Sequence, residues 1–167
     1  DVDTKQIDSR VSWNVFGDRP VSYTLTDYLT DWSQTQGSAG KFDVDISAAA
    51  LNATGAILQG ITVQNIGTSS IIIDRMTVSW VNTVRRLNRI FIGGTRVYNS
   101  SQGTVSGTDA NVTNTTLNSG SPLTLSMNFD GSMVNNDFII KFVMTDGSTH
   151  YTLIENPDST PDITPPT

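Results

Sequence analysis

Apolar side chains recur at every second position in several separate segments of the sequence. Phe42 and Val44 alternate with aspartates, residues 123–129 carry an apolar residue at every odd position, and residues 138–144 carry one at every even position. A period of two places the apolar side chains of an extended strand on a single face. The same residues on a helix would be spread around its circumference, so this pattern predicts half-buried β-strands.

Turn signals separate the alternating segments at short intervals. Gly93-Gly94 lies between the runs 87–92 and 95–98, and Asp146-Gly147 precedes an alternating run at 149–153. Both dipeptides are typical of tight hairpin turns, where positive φ angles are needed. The side chains expected in the interior are Phe42, Val44, Met76, Val78, Leu125, Met127, Phe138, Ile140 and Phe142.

The composition favours strands over helices. Charged residues make up only 16% of the chain, and Glu155 is its only glutamate, while Ser, Thr, Asn and Gly are abundant. We therefore predict an all-β fold, a two-sheet sandwich of about eight or nine strands with a short N-terminal helical turn. The sequence divides into an irregular N-terminal segment at 1–40, the sandwich at 41–155 and a proline-rich tail at 156–167.

A tandem repeat in the N-terminal segment predicts the helical turn. Leu25-Thr26-Asp27-Tyr28 is followed by Leu-Thr-Asp-Trp at 29–32. A repeat of four residues superposes like side chains on one helical face, and Thr26 is a suitable N-cap.

The segment 99–121 is rich in Ser, Thr, Asn and Gly and has few apolar residues. Such a stretch is typical of a surface loop. N-glycosylation sequons occur at Asn52, Asn99, Asn111 and Asn114, and three of these four lie in or beside the expected loop, where a glycan would be exposed.

The sequence contains few of the groups that enzymes use. His150 is the single histidine, there are no cysteines, and no nucleophile elbow or phosphate-binding loop is present. We predict that the chain is not an enzyme, that it needs no cofactor and that His150 is not a catalytic base. Calcium is the metal that aspartates in loops would suit, but no ordered series of ligands supports it.

Charge is unevenly distributed along the chain. The net charge is −6, yet residues 70–100 hold five arginines against the single acid Asp74. The overall acidity argues against a nucleic-acid partner. No segment is long and apolar enough to span a membrane, and the Ser/Thr/Asn-rich composition is typical of extracellular or cell-surface proteins.

The arginines and the N-terminal aromatic residues are the candidate contacts with other chains. Residues 1–50 hold eight aspartates against four Lys and Arg, and this acidity complements the arginine cluster. Aromatic residues in an irregular segment suit an interface, or they close one end of the sandwich. The candidate contact residues are Trp13, Phe16, Tyr28, Trp32, Arg85, Arg86 and Arg89.

One stretch resembles a known class of extracellular domain. Residues 58–80, LQGITVQNIGTSSIIIDRMTVSW, look like the strand–Asn-x-Gly-Thr–strand unit of immunoglobulin-like domains in the heads of type IV pilins, archaeal flagellins and secreted pilus-associated subunits. Residues 89–98 and 138–149 have a similar pattern of strands and turns, and the resemblance covers roughly residues 41–155. It implies an immunoglobulin-like sandwich and a structural role in a filament.

The resemblance implies a non-catalytic structural subunit or head domain of an extracellular prokaryotic filament. Its partners would be other copies of the chain or a helical pilin-like subunit. Pilins and flagellins begin with a long apolar helix that this sequence lacks. Either the helix has been removed, or this is a separate head that joins a helical partner, or filament membership is wrong. The alternative function is a cell-surface adhesin or a module that binds glycan or protein.

Overall fold

Strands account for almost all regular structure in the computed structural model, which describes residues 4–15, 19–30, 37–81 and 84–157. The strands are β1 (Thr4–Val15), β2 (Arg19–Thr30), β3 (Phe42–Asp45), β4 (Ala50–Leu51), β5 (Ile57–Asn65), β6 (Ile71–Trp80), β7 (Leu87–Ile92), β8 (Thr95–Thr104), β9 (Asp109–Leu117), β10 (Leu123–Phe129), β11 (Phe138–Met144) and β12 (Thr149–Ile154). A single 3-10 turn, Ser38–Lys41, precedes β3.

Two antiparallel sheets form the body of the protein. The six-stranded sheet has the order β3-β5-β10-β7-β8, with β4 also paired to β5, and the four-stranded sheet has the order β12-β11-β6-β9. The prediction of an all-β sandwich is confirmed. These sheets contain ten strands rather than eight or nine, because β9 forms where a loop was expected and the short strand β4 pairs with β5.

The core lies between the two sheets and is built by alternation. Eight of the nine side chains expected inside are buried, and the exception, Val44, is half-buried on the edge strand β3. Phe42 of the six-stranded sheet packs on Phe142 of the four-stranded sheet, with ring centroids 4.7 Å apart. Phe129 in turn contacts Phe138 across the layers at 5.6 Å.

The Gly-Gly hairpin forms as predicted. Gly93 and Gly94 adopt φ angles of 58° and 77°, and they connect β7 to β8. These positive φ angles favour glycine, since a Cβ would be strained there.

The helix predicted over residues 25–32 is wrong. Leu25 to Thr30 belong to β2, which pairs with β1 along its whole length, from Arg19 opposite Val15 to Thr30 opposite Thr4. Side chains on a strand alternate with a period of two, and four is a multiple of two. A four-residue repeat therefore places like side chains on one face of a strand as well as on one face of a helix. The Thr- and Tyr-rich composition and the pairing with β1 favour the strand. Residues 31 and 32 lie outside the described residues.

The hairpin of β1 and β2 belongs to a compact unit of its own, Asp1–Thr35, while both large sheets belong to the second unit, Gln36–Thr167. The segment expected to be irregular therefore contains two long strands. Of the proline-rich tail, only Asn156 and Pro157 are described, and the Pro157 carbonyl accepts a hydrogen bond from the Leu51 N–H at 3.3 Å.

The surface loop predicted over residues 99–121 is also wrong. Thr95–Thr104 and Asp109–Leu117 form β8 and β9, the edge strands of the two sheets on one side of the sandwich. Edge strands have a solvent-facing side, so they need few apolar residues. Val97, Ala110, Val112 and Leu117 are buried, and these four supply the inward contacts.

Candidate functional site

The predicted arginine cluster lies at the start of β7. The Arg86 N–H donates to Asp130 Oδ1 at 3.0 Å, and the Asp130 N–H donates to the Arg86 carbonyl at 3.0 Å. The Arg85 guanidinium lies over Gly131, where a Cβ would come within 2.4 Å of its Nη1. Backbone hydrogen bonds and one glycine therefore fix the position of this pair of arginines.

Arg89 and Arg96 extend the cluster across the outer face of the six-stranded sheet. Both are exposed, Arg89 Nε donates to Asn99 Oδ1 at 3.3 Å, and Arg96 lies opposite Phe91 in the strand register. Among the residues whose side chains the structure describes, both ion pairs belong to Arg75 on the other sheet, and neither involves the guanidinium group of a clustered arginine.

An acidic strand lies at the opposite edge of the same sheet. Asp43 and Asp45 are exposed on β3, where they pair with Gln64 and Thr62 of β5. The Ser47 N–H donates to Asp45 Oδ1 at 2.8 Å, and this bond and the Ser47 hydroxyl lower the pKa of Asp45. With four interstrand spacings between β3 and β8, the acidic and basic edges are roughly 19 Å apart.

The four-stranded sheet carries an apolar surface that was not predicted from the sequence. Ile139 is 48% exposed and lies opposite Leu153, which is 50% exposed. Beside this pair, Tyr151 is 61% exposed, and Lys141 Nζ lies 5.9 Å from the centre of its ring. The signal in the sequence is the run Phe138-Ile139-Ile140, which makes both faces of β11 apolar.

The four sequons differ in their surroundings. Asn99, Asn111 and Asn114 are exposed on β8 and β9, so they lie on edge strands and not in the predicted loop. Asn52 is half-buried, and its Oδ1 accepts hydrogen bonds at 3.0 Å from Thr54 Oγ1 and from the N–H groups of residues 56 and 57. Asn52 therefore also holds the turn before β5.

A cleft of about 320 Å³ lies between the β7–β8 turn and β9. Its floor contains Ile92, Val97 and Leu123. Its polar rim consists of Arg96, Asn114 and the hydroxyl-bearing residues Thr95, Thr113, Thr115 and Thr116. Hydroxyl, amide and guanidinium groups around an apolar floor are suited to a small polar ligand.

His150 packs against the aromatic core. Its ring lies edge-on to Phe42 at 5.3 Å and 6.4 Å from the ring of Phe142. Burial lowers the pKa of His150, while Asp43 and a hydrogen bond to the Ala39 carbonyl oppose this effect. This packing supports a structural role.

In the part of the chain described, no three His, Asp or Glu side chains are grouped as a metal ion would need.

The N-terminal contact candidates are placed only in part. Trp13 belongs to β1, opposite Val21, and Tyr28 belongs to β2, opposite Gln6. Phe16 and Trp32 lie outside the described residues.

The described residues thus define an all-β sandwich whose exposed features are an acidic edge, a basic edge and an apolar sheet face. No helix among them has the length and apolarity to cross a membrane. No protein-family model matches the sequence, and no curated protein is significantly similar to it.

Proposed function

We propose that this chain is a non-catalytic structural subunit or head domain of an extracellular prokaryotic filament, similar to a pilus or a flagellum. The observation that carries the proposal is the charge separation on the outer face of the six-stranded sheet. Asp43 and Asp45 lie on the edge strand β3, while Arg96 lies on the opposite edge strand β8 and Arg89 lies beside it on β7. Arg85 and Arg86 flank the basic edge.

This separation suits head-to-tail contact between copies. The acidic edge of one copy faces the basic edge of the next, so the growing chain keeps a free acidic edge at one end and a free basic edge at the other. A heterologous contact that does not close on itself produces an open filament. Because exposed charges are screened over about 8 Å at physiological ionic strength, assembly by this contact weakens as salt is raised.

The N-terminal aromatic residues belong to the same proposal. Trp13, Phe16, Tyr28 and Trp32 would contact a neighbouring copy or a helical pilin-like partner, and the clustered arginines would fix the register. Aromatic anchors with charges at their rim are common in protein interfaces. The Ser/Thr/Asn-rich composition supports an extracellular or cell-surface location.

A charge exchange tests the head-to-tail contact. One variant carries Arg89→Glu and Arg96→Glu, and the other carries Asp43→Lys and Asp45→Lys. All four positions are exposed, so both variants should fold. Neither should form filaments alone, because its two edges then have the same sign, while an equimolar mixture should assemble again. Negative-stain electron microscopy and light scattering measure the outcome.

The control is Arg75→Glu, an exposed charge reversal on the four-stranded sheet, which should assemble like the unmodified chain. Filaments formed equally well by both reversed variants would contradict the contact. Isolated globules from the unmodified chain, at low salt and with or without its native partners, would contradict the filament proposal itself.

The cleft between the β7–β8 turn and β9 favours a second candidate, a surface adhesin or glycan-binding module. Its Arg96 guanidinium and threonine hydroxyls are the kinds of group that bind sugars. A glycan array probed with the full chain tests this function. Specific binding that is lost with Thr113→Val and Thr116→Val would favour the adhesin over the filament subunit.

A further inference from the structure

The edge strands of the two sheets differ in how they are protected against pairing. A sheet edge presents unpaired backbone groups, and charges, bulges and prolines normally prevent other strands from adding there. β3 carries two aspartates, and β8 carries Arg96 and Gly103 and has register shifts against β7. β9 carries Asp109 and has a register shift against β6.

The strand β12 has none of these features. Its sequence, Thr-His-Tyr-Thr-Leu-Ile at 149–154, contains no Asp, Glu, Lys, Arg, Gly or Pro. It pairs with β11 in an unbroken register from Thr149 opposite Val143 to Ile154 opposite Phe138, and within the described strands it has no other partner. β12 is therefore the edge best suited to receive another strand.

The outward face of this edge is apolar as well. Tyr151 and Leu153 are exposed on β12, and Ile139 extends the surface onto β11. A strand added at β12 would place its own outward side chains beside Tyr151 and Leu153. Cross-strand pairs of aromatic and aliphatic side chains stabilise such an addition.

We propose that β12 pairs with β12 of a second copy, antiparallel about a two-fold axis, and joins two four-stranded sheets into one of eight strands. This inference rests on the proposed function, since it supplies a second contact between copies. A second copy is the partner because β12 carries no charged residue of its own, and its exposed Tyr151 and Leu153 can each face the other across a two-fold axis. An extended segment of another protein would use the same edge by β-strand addition.

The alternation of side chains restricts the register. Residues opposite each other in an antiparallel pair point to the same face, so the two-fold axis passes through one residue of β12. Centred on Thr152, the pairing places Tyr151 opposite Leu153 of the second copy, and this contact occurs twice. Centred on Tyr151, it would place Leu153 opposite Thr149 instead. The first register buries more apolar surface and is the one proposed.

The cation beside Tyr151 does not oppose the pairing. Lys141 lies on β11 beside Tyr151, so three interstrand spacings separate it from its counterpart. Three spacings of about 4.8 Å give roughly 14 Å, which exceeds the screening length at physiological salt.

Disulfide trapping tests this register directly, because the sequence contains no cysteine. Full-length Tyr151→Cys and Leu153→Cys chains are mixed and oxidised. Opposite residues in an antiparallel pair have Cα atoms about 4.5–5.5 Å apart, which suits a disulfide. We expect the mixture to form disulfide-linked dimers at least roughly tenfold faster than either variant alone, since the diagonal neighbours in each homodimer are about 7–8 Å apart.

The matched control is Thr113→Cys, an exposed position on the edge strand β9, which should crosslink slowly. At raised salt, where the head-to-tail contact is weakened, sedimentation of the unmodified chain should show a dimer that Tyr151→Lys with Leu153→Lys weakens roughly tenfold. A mixture that crosslinks no faster than the control would overturn the inference. Faster crosslinking of Tyr151→Cys alone would overturn the register.

The outcomes separate this inference from the proposed function. If the charge-exchange variants behave as expected and the cysteine pair does not crosslink, the head-to-tail filament stands and the β12 contact is wrong. If the β12 dimer forms but the unmodified chain gives no filament under any condition, the β12 contact stands and the filament proposal is wrong.

Discussion

A single buried amide joins the two sheets at one end of the sandwich. Asn65 is fully buried, and its Nδ2 donates to the Ser69 carbonyl at 2.8 Å and to the Leu117 carbonyl at 3.0 Å. Its Oδ1 accepts from the Gly67 N–H at 2.9 Å. Asn65 ends β5 and Leu117 ends β9, so this side chain connects the two sheets while it forms the turn of the Asn-x-Gly-Thr motif.

Replacing the Asn65 side chain should lower the stability of the fold. Asn65→Ala removes the partner of the buried Leu117 carbonyl and of two part-buried groups, the Gly67 N–H and the Ser69 carbonyl. We expect the free energy of unfolding to fall by about 2–4 kcal/mol, because unsatisfied buried polar groups cost about 1–3 kcal/mol each. Urea denaturation measures the change. Gln59→Ala, at an exposed position of the same strand, should change stability by less than about 0.5 kcal/mol. Equal effects would contradict the role of Asn65.

At the scale of elements, a carboxylate joins the 3-10 turn to the β11–β12 turn. Asp146 Oδ2 accepts from the Ser38 N–H at 2.7 Å, and its Oδ1 accepts from the Ser148 N–H at 3.0 Å and the Ser148 hydroxyl at 2.6 Å. The Ser148 hydroxyl, followed by the Ser38 N–H, lowers the pKa of Asp146 well below its usual range. Ser148 Oγ also accepts from the Ala39 N–H at 2.9 Å.

This junction should make stability depend on pH in the acid range. Because the folded pKa of Asp146 lies below its unfolded value of about 3.9, its contribution is present above about pH 4 and is lost as the pH falls toward the folded pKa. Asp146→Asn should therefore destabilise the protein at pH 6 by up to about 1 kcal/mol, a small amount because the group is exposed. The difference should shrink at pH 2–3.

Thermal unfolding at the two pH values measures this difference. The matched control is Glu155→Gln, an exposed acid outside this network, which should have little effect at either pH. A deficit of Asp146→Asn that grows as the pH falls would contradict the assigned sign.

At the scale of the whole molecule, the chain divides into the units Asp1–Thr35 and Gln36–Thr167. The described hydrophobic core begins at Ala39 and draws on both large sheets of the second unit. The second unit therefore contains the elements needed to bury its own apolar faces.

Deletion of residues 1–35 should leave the second unit folded. We expect a β-type circular dichroism spectrum and a cooperative thermal transition, because the second unit contains both large sheets and the core described between them. If filament assembly is lost while this fold persists, the N-terminal aromatic residues belong to the interface, as proposed. A non-cooperative transition would show instead that the first unit completes the fold.

Alternation by itself determined the strands of the sandwich. When one face of a strand is buried, a period of two decides which side chains lie on that face. The pattern therefore assigned to the interior Phe42, Met127, Phe138 and Phe142. The Gly-Gly hairpin was equally predictable, since its φ angles follow from the residue type.

Where the local sequence pattern was ambiguous, only the tertiary structure determined which secondary structure formed. The repeat at 25–32 fits two periods, and pairing with β1 selects the strand. Residues 99–117 lack a strong apolar pattern, and they become strands because a neighbouring strand supplies the backbone hydrogen bonds. The surfaces proposed for assembly depend on which strands lie at an edge and which side chains share a face. Contacts between residues distant in sequence set both, so the order of residues along the chain does not reveal them.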